Sequence, residues 1–331
     1  MKTIYLETNY LTLSKLNEFN NILNTNLYEE KICIDLNGIG FCDPQTILCL
    51  AVMLRDFDMK RGQLHTDISI RQNNNVIGYL AHIGFFDFIG ANFGNKIGEV
   101  SVGESYIPIR AINKIELLRE SNETGKSLQD LVQEEASYLA RILVGSNWNE
   151  QIYLTIAYSV REAIRNALEH SEKDICFVCG QRWTNNRAQI AVIDEGIGIY
   201  QSLVNAEINV SDENFLQVAL QAGLSRTLNI EESLNIHGNS GFGLYVLYHL
   251  AKNYGRMTIS SSGKTLIAKR AKNGIEERDS SFIGTCISIE FSMYPHDVAD
   301  VISMIADSGE EEAKEAGRQV KASSRSRSVK I

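Results

Sequence analysis

The sequence predicts an α/β protein of two domains, and three observations lead there. A chain of 331 residues exceeds the usual length of a single domain. Its first hundred residues alternate short apolar runs with helical patterns, as βα units do. Beyond residue 127, two long helical patterns precede apolar runs that end in glycine-rich turns. Apolar residues make up 44% and charged residues 22%, enough to build a core in each part and too apolar for a disordered chain. The count of 24 Gly against 3 Pro asks where the backbone must approach something closely.

Along the chain, residues 31–36 (Lys-Ile-Cys-Ile-Asp-Leu) read as a buried strand and 46–55 as the helix that follows it. Between them Asp43 is placed to cap that helix and Pro44 to open it. Residues 67–70 predict a second strand and 76–83 a second helix, with Gly84 ending it. A strand is expected at 106–109, and the polar stretch 121–126 marks a boundary. Helices are expected over 127–144, where apolar residues recur at Leu128, Leu131, Val132, Ala136, Leu139 and Leu143, and over 150–170. From Ser308 onward, acids followed by serines, lysines and arginines predict a helix end fraying into a disordered basic tail. The expected division is 1–100, a linker over 101–126, 127–300, and a C-terminal helix and tail over 301–331.

A formal charge of −9 argues against a broad grip on nucleic acid phosphates. The longest apolar run, residues 47–54, is far shorter than the roughly 20 needed to span a bilayer. No apolar leader precedes Glu7, so a cytoplasmic protein is expected, with no membrane partner. The six cysteines (Cys33, Cys42, Cys49, Cys176, Cys179, Cys286) sit mostly in apolar runs and read as reduced core thiols. Cys176 and Cys179 form a C-x-x-C, but in a strand they face opposite ways and no second pair exists, which argues against zinc.

The stretch from Ile32 to Leu50 resembles the strand-to-helix signature of STAS domains, the fold of anti-anti-sigma proteins, over roughly residues 1–95. The serine phosphorylated in such regulators corresponds here to Gln45, which cannot accept phosphate. Thr46 beside it is expected in the first helical turn for structural reasons.

Four pieces in the second part carry chemistry. Glu162, Asn166 and His170 recur every four residues, so one helix face presents a carboxylate, an amide and an imidazole. Such a stripe is, by itself, the ordinary solvated face of a helix. The apolar run at 190–193 ends in Asp194-Glu-Gly196-Ile-Gly198, a carboxylate at a strand end followed by backbone that no Cβ obstructs. Gly238-Asn239-Ser240-Gly241-Phe242-Gly243-Leu244 opens an apolar helical run, exposing N–H groups at the positive helix end, where phosphate binds. It is neither a Walker loop nor a dinucleotide fingerprint. Gly284-Thr285 opens an alternating strand.

In this order, over residues 125–295, the four pieces resemble the ATP-binding domain of the GHKL superfamily, with Asn166-Ala-Leu-Glu-His170 most similar to the anti-sigma-factor serine kinase branch. The resemblance implies a Bergerat α/β sandwich with a mixed sheet. It also implies that Asp194 accepts from the adenine amino group, that Asn166 holds Mg²⁺, and that Glu162 orients or deprotonates the attacking water or hydroxyl. Gly196, Gly198, Gly238, Asn239, Ser240, Gly241, Phe242, Gly243, Leu244 and Thr285 would complete the ATP contacts. Residues 199–237 would form a lid. Arg165 is expected to face solvent.

Three uses of ATP follow. The first is an ATPase switch controlling a protein partner or a second copy of the chain. The second is a serine/threonine kinase in a partner-switching system. The third is a scaffold that binds ATP without turnover. A sensor histidine kinase is disfavoured, because no helix pair presents a phosphoacceptor histidine; His65 and His82 lie elsewhere.

Overall fold

The computed structural model describes residues 1–71, 74–101, 103–145, 149–224, 241–270, 274–292 and 301–327. The chain opens β1 (Lys2–Tyr5), α1 (Leu13–Thr25), β2 (Lys31–Asp35), α2 (Pro44–Arg61), β3 (His65–Ser69), α3 (Asn75–His82) and the single turn α4 (Phe85–Phe88). β1, β2 and β3 form a parallel sheet in that order, with Ile4 opposite Ile34 and Ile34 opposite Ile68. The Asp43 side chain accepts from the Thr46 amide at 2.9 Å and the Thr46 hydroxyl accepts from the Asp43 amide at 3.0 Å, a capping box behind Pro44. Thr46 therefore serves the helix start, as its position implied.

The second part runs β4 (Tyr106–Asn113), α5 (Lys114–Thr124), α6 (Leu128–Val144), α7 (Glu150–His170), β5 (Ile175–Trp183), β6 (Arg187–Asp194), α8 (Gly198–Asn205), α9 (Phe215–Ala219) and α10 (Gly243–Tyr254). It continues with β7 (Gly255–Ser261), β8 (Lys264–Lys269), β9 (Ile275–Asp279), β10 (Thr285–Ser292), α11 (Val301–Glu315) and the single turn α12 (Ser324–Arg327). Seven strands form one sheet in the order β4-β5-β6-β10-β7-β8-β9. The mixed sheet implied by the resemblance is not what forms: every pairing is antiparallel. β6 and β7 do run parallel to each other, but β10 lies between them and is antiparallel to both.

Alternation along the strands sorts side chains to two faces. Ile190 and Val192 of β6 join α6, α7 and α10 in one core, whereas Ala191 and Ile193 join α2 in the other. Cys176 and Cys179 divide the same way, both fully buried on opposite faces. α2 is thus enclosed between its own parallel sheet and the second face of the large sheet, which explains why residues 47–52 are apolar all round.

Residues 101–126, expected as a linker, carry β4 and α5, and β4 is built into the sheet against β5. The C-terminal stretch also departs from expectation over its described part. Ile302, Ile305, Ala306 and Ala313 of α11 enter the core, and Ala322 is buried beyond it. Apolar spacing on α11 holds that stretch down, although composition alone suggests fraying. Among the described residues no helix is long and apolar enough to cross a membrane.

Candidate functional site

Three segments far apart in sequence meet at one cleft between α7, the end of β6 and the start of α10. One half is bordered by Asn166, Asp194, Ile199, Leu203, Leu244 and Thr285. The other is bordered by Glu162, Arg165, Asn166, Gly241, Gly243 and Ser326. Asn166, His170 and Leu244 border both, so the halves adjoin. The first half is flanked by aliphatic side chains and the second by charges.

Asp194 closes β6 and is 2% exposed. Its Oδ1 accepts from the Gly196 amide at 2.9 Å. Burial pushes its pKa up to about 7, against the pull of the Gly196 and Thr285 amides. Thr285 stands opposite Asp194 in register, and its hydroxyl lies 3.2 Å from Ser261 Oγ. Ser261 Oγ in turn accepts from the Ile199 amide at 2.9 Å, tying the start of α8 to β7.

The glycines of this turn are required by close approach. A Cβ on Gly196 would strike the carbonyl of Ser171, which accepts from the Ile197 amide at 3.0 Å. Gly198 has φ +75°, a conformation that side chains disfavour. The turn is thereby pressed onto the C-terminal end of α7.

Glu162 is 7% exposed and does not stand alone. Its Oε1 accepts from Arg161 Nε at 2.9 Å and from Arg165 Nη1 at 3.3 Å. Burial by itself would raise its pKa, but the Arg165 and Arg161 guanidiniums outweigh burial and hold it below the usual carboxylate range. Arg165 is therefore not on the solvated face: it is 7% exposed and bridges Glu162 to Glu169. An arginine three residues after one acid and four before another is the helix spacing that makes this clamp. That spacing was legible in the sequence.

At the start of α10, a Cβ on Gly243 would strike Glu162 Oε2, so glycine lets this helix end close on α7 without displacing that carboxylate. The N-cap residue Phe242 offers no side-chain acceptor to the first turn. Its ring is fully buried in the core, leaving only backbone for the cleft. Gly241, φ +71°, accepts through its carbonyl from the Gly223 amide at 3.1 Å. Gly238, Asn239 and Ser240 lie outside the described residues, as do 225–237 of the expected lid; its described part, 199–224, carries most of α8 and all of α9.

The cleft thus brings together Glu162, Asn166, Asp194, Gly198, Gly241, Gly243, Leu244 and Thr285, with Gly196 shaping its floor. Sequence reasoning missed Ser326, for which no local pattern gave a sign, and the burial of Arg161. Among the described residues no three His, Cys, Asp or Glu side chains gather to hold a metal by themselves. The chain matches no protein-family model and no curated protein.

Proposed function

We propose that this chain binds Mg-ATP in the cleft and works as a nucleotide-driven regulatory switch of GHKL type, with a STAS-like region fused ahead of it. The observation that carries this is the convergence of a buried carboxylate at one end with an uncapped helix start and clustered charge at the other. An adenine fits the aliphatic half, where Asp194 would accept from its amino group; guanine presents a carbonyl there and would be rejected. Phosphates fit the half where the α10 amides begin.

Asn166 borders both halves, and its amide oxygen would hold Mg²⁺, the remaining ligands coming from phosphates and water. When bound, that ion screens phosphate charge. Glu162, kept ionised by its two arginines, would orient a nucleophile more than deprotonate it, which suits the loose transition state of phosphoryl transfer. A second use, transfer to a protein hydroxyl, is favoured by Ser326 at the charged half.

Equilibrium dialysis with labelled ATP and GTP tests the proposal. ATP is expected to bind, GTP not, and Asp194→Asn to weaken ATP. Equal binding of both nucleotides, or of neither, would overturn it.

A further inference from the structure

The C-terminal arm ends at the charged half of the cleft, and its anchoring is specific. Gly309 of α11 faces the rings of Tyr245 and Phe242, where a Cβ would come within 2.7 Å and 3.0 Å of them. The Tyr245 hydroxyl donates to Glu312 at 2.9 Å. The chain turns at Gly317, φ +78°, and Val320 then packs onto Gly223. Farther on, the Ala322 amide donates to Glu310 at 2.8 Å. Arg327 reaches Glu310 at 2.6 Å and pairs with Asp307. The Tyr158 hydroxyl, on α7 one turn before Glu162, donates to the Ser326 carbonyl at 3.2 Å.

These contacts hold Ser326, 3% exposed, at the border of the half that Glu162, Asn166 and Gly243 also border. Val320 and Ala322 pack this stretch onto the core and so bring Ser326 to the cleft. Ser326 borders the same half as a carboxylate, an amide and a helix N-terminus, with its hydroxyl 3.1 Å from that of Ser323, and these are surroundings suited to a phosphoryl acceptor. Among the described residues of the arm, Ser326 borders that half and Ser323 and Ser324 do not.

We infer that Ser326 accepts the γ-phosphoryl group of ATP bound in this cleft, so that the protein phosphorylates its own C-terminal arm; this rests on the nucleotide proposal above. Ser326 Oγ attacks the γ-phosphorus, and the bond from that phosphorus to the β,γ-bridging oxygen breaks. ADP leaves with the bridging oxygen and its electron pair. The serine proton passes to a γ-phosphoryl oxygen and from there to solvent, with Glu162 orienting the hydroxyl. The products are phosphoserine and ADP, with no other reactant.

The test incubates the full chain with ATP and Mg²⁺ and follows it by intact mass and tandem mass spectrometry, with ATP binding measured in parallel by dialysis. One phosphoryl group is expected, on Ser326, at a first-order rate that does not change on dilution. Ser326→Ala should lose it and Ser326→Thr, which keeps a hydroxyl, should retain it. Bound ATP without phosphoserine, a phosphoryl group on Ser323 or Ser324, incorporation surviving in Ser326→Ala, or a rate that falls on dilution would each overturn the inference while leaving ATP binding intact. No bound ATP at all would overturn the nucleotide proposal and this inference with it.

Discussion

Arg55 on α2 forms an ion pair with Glu195, the residue that follows Asp194, with Arg55 Nε 3.3 Å from Glu195 Oε1. The same guanidinium lies 4.1 Å from the centre of the Phe88 ring. One side chain of the N-terminal part therefore touches the turn that shapes the aliphatic half of the cleft. Arg55→Ala should cost about 1–2 kcal/mol, read as a lower urea midpoint, from a half-buried pair plus a cation–π contact. A double-mutant cycle with Glu195→Ala should give a coupling of about 0.5–1 kcal/mol. Strict additivity would show that the pair does not act across the two parts.

The Asp194 carboxyl sets a pH dependence. Its folded pKa, about 7, lies above the ordinary aspartate value of 3.8, so the folded chain holds a proton that the unfolded chain releases. Its contribution to stability is full below the ordinary value and is lost as pH rises toward 7. If adenine meets this carboxylate as proposed, ATP binding should strengthen across the same interval. Asp194→Asn should weaken ATP about tenfold to a hundredfold, as expected for a lost hydrogen bond to a charged group, and its affinity should no longer carry that pH dependence. Titration calorimetry across this range reads both.

Glu162 has the opposite sign. Its folded pKa is lowered, so its contribution is present above the ordinary glutamate value of 4.5 and is lost as pH falls through the folded value. Arg165→Met removes one of the two guanidiniums from a buried carboxylate. The variant should lose about 2–4 kcal/mol at neutral pH, and less in acid, by chemical denaturation. An unchanged midpoint would mean that Arg161 alone satisfies Glu162.

Gly243→Ala places a methyl against Glu162 Oε2, so the carboxylate, whose Oε1 is held by two arginines, must shift to admit it. A loss of about 1–3 kcal/mol is expected, together with weaker ATP binding. Alanine at Gly78 in α3 is a control, since a Cβ there meets nothing within 4 Å. Thermal melts of the two variants should separate them.

Much of the local structure was legible because it follows from short-range rules. The capping of α2 by Asp43 and Pro44, the helix of residues 150–170 and the strand ending at Asp194 each depend on neighbours a few positions away. The direction of the strands was not legible in the same way, because β10 enters between β6 and β7 from about a hundred residues beyond β6. Nor was the fate of residues 316–327, whose composition points to solvent while Val320, Ala322 and Ser326 pack against Gly223, the core and Tyr158.

By itself the sequence determined which residue types could form a nucleotide site: a carboxylate at a strand end, an amide and an acid one helical turn apart, and glycines at a helix start. Their order along the chain carries that chemistry because side-chain type and helical period are local properties. Only the tertiary structure decided that Glu162 is clamped by Arg161 and Arg165, that Arg55 reaches Glu195, and that Ser326 is buried at the charged half of the cleft. Those relationships depend on burial and long-range closure, in which desolvation sets the strength of each charge and no spacing along the chain records the partner.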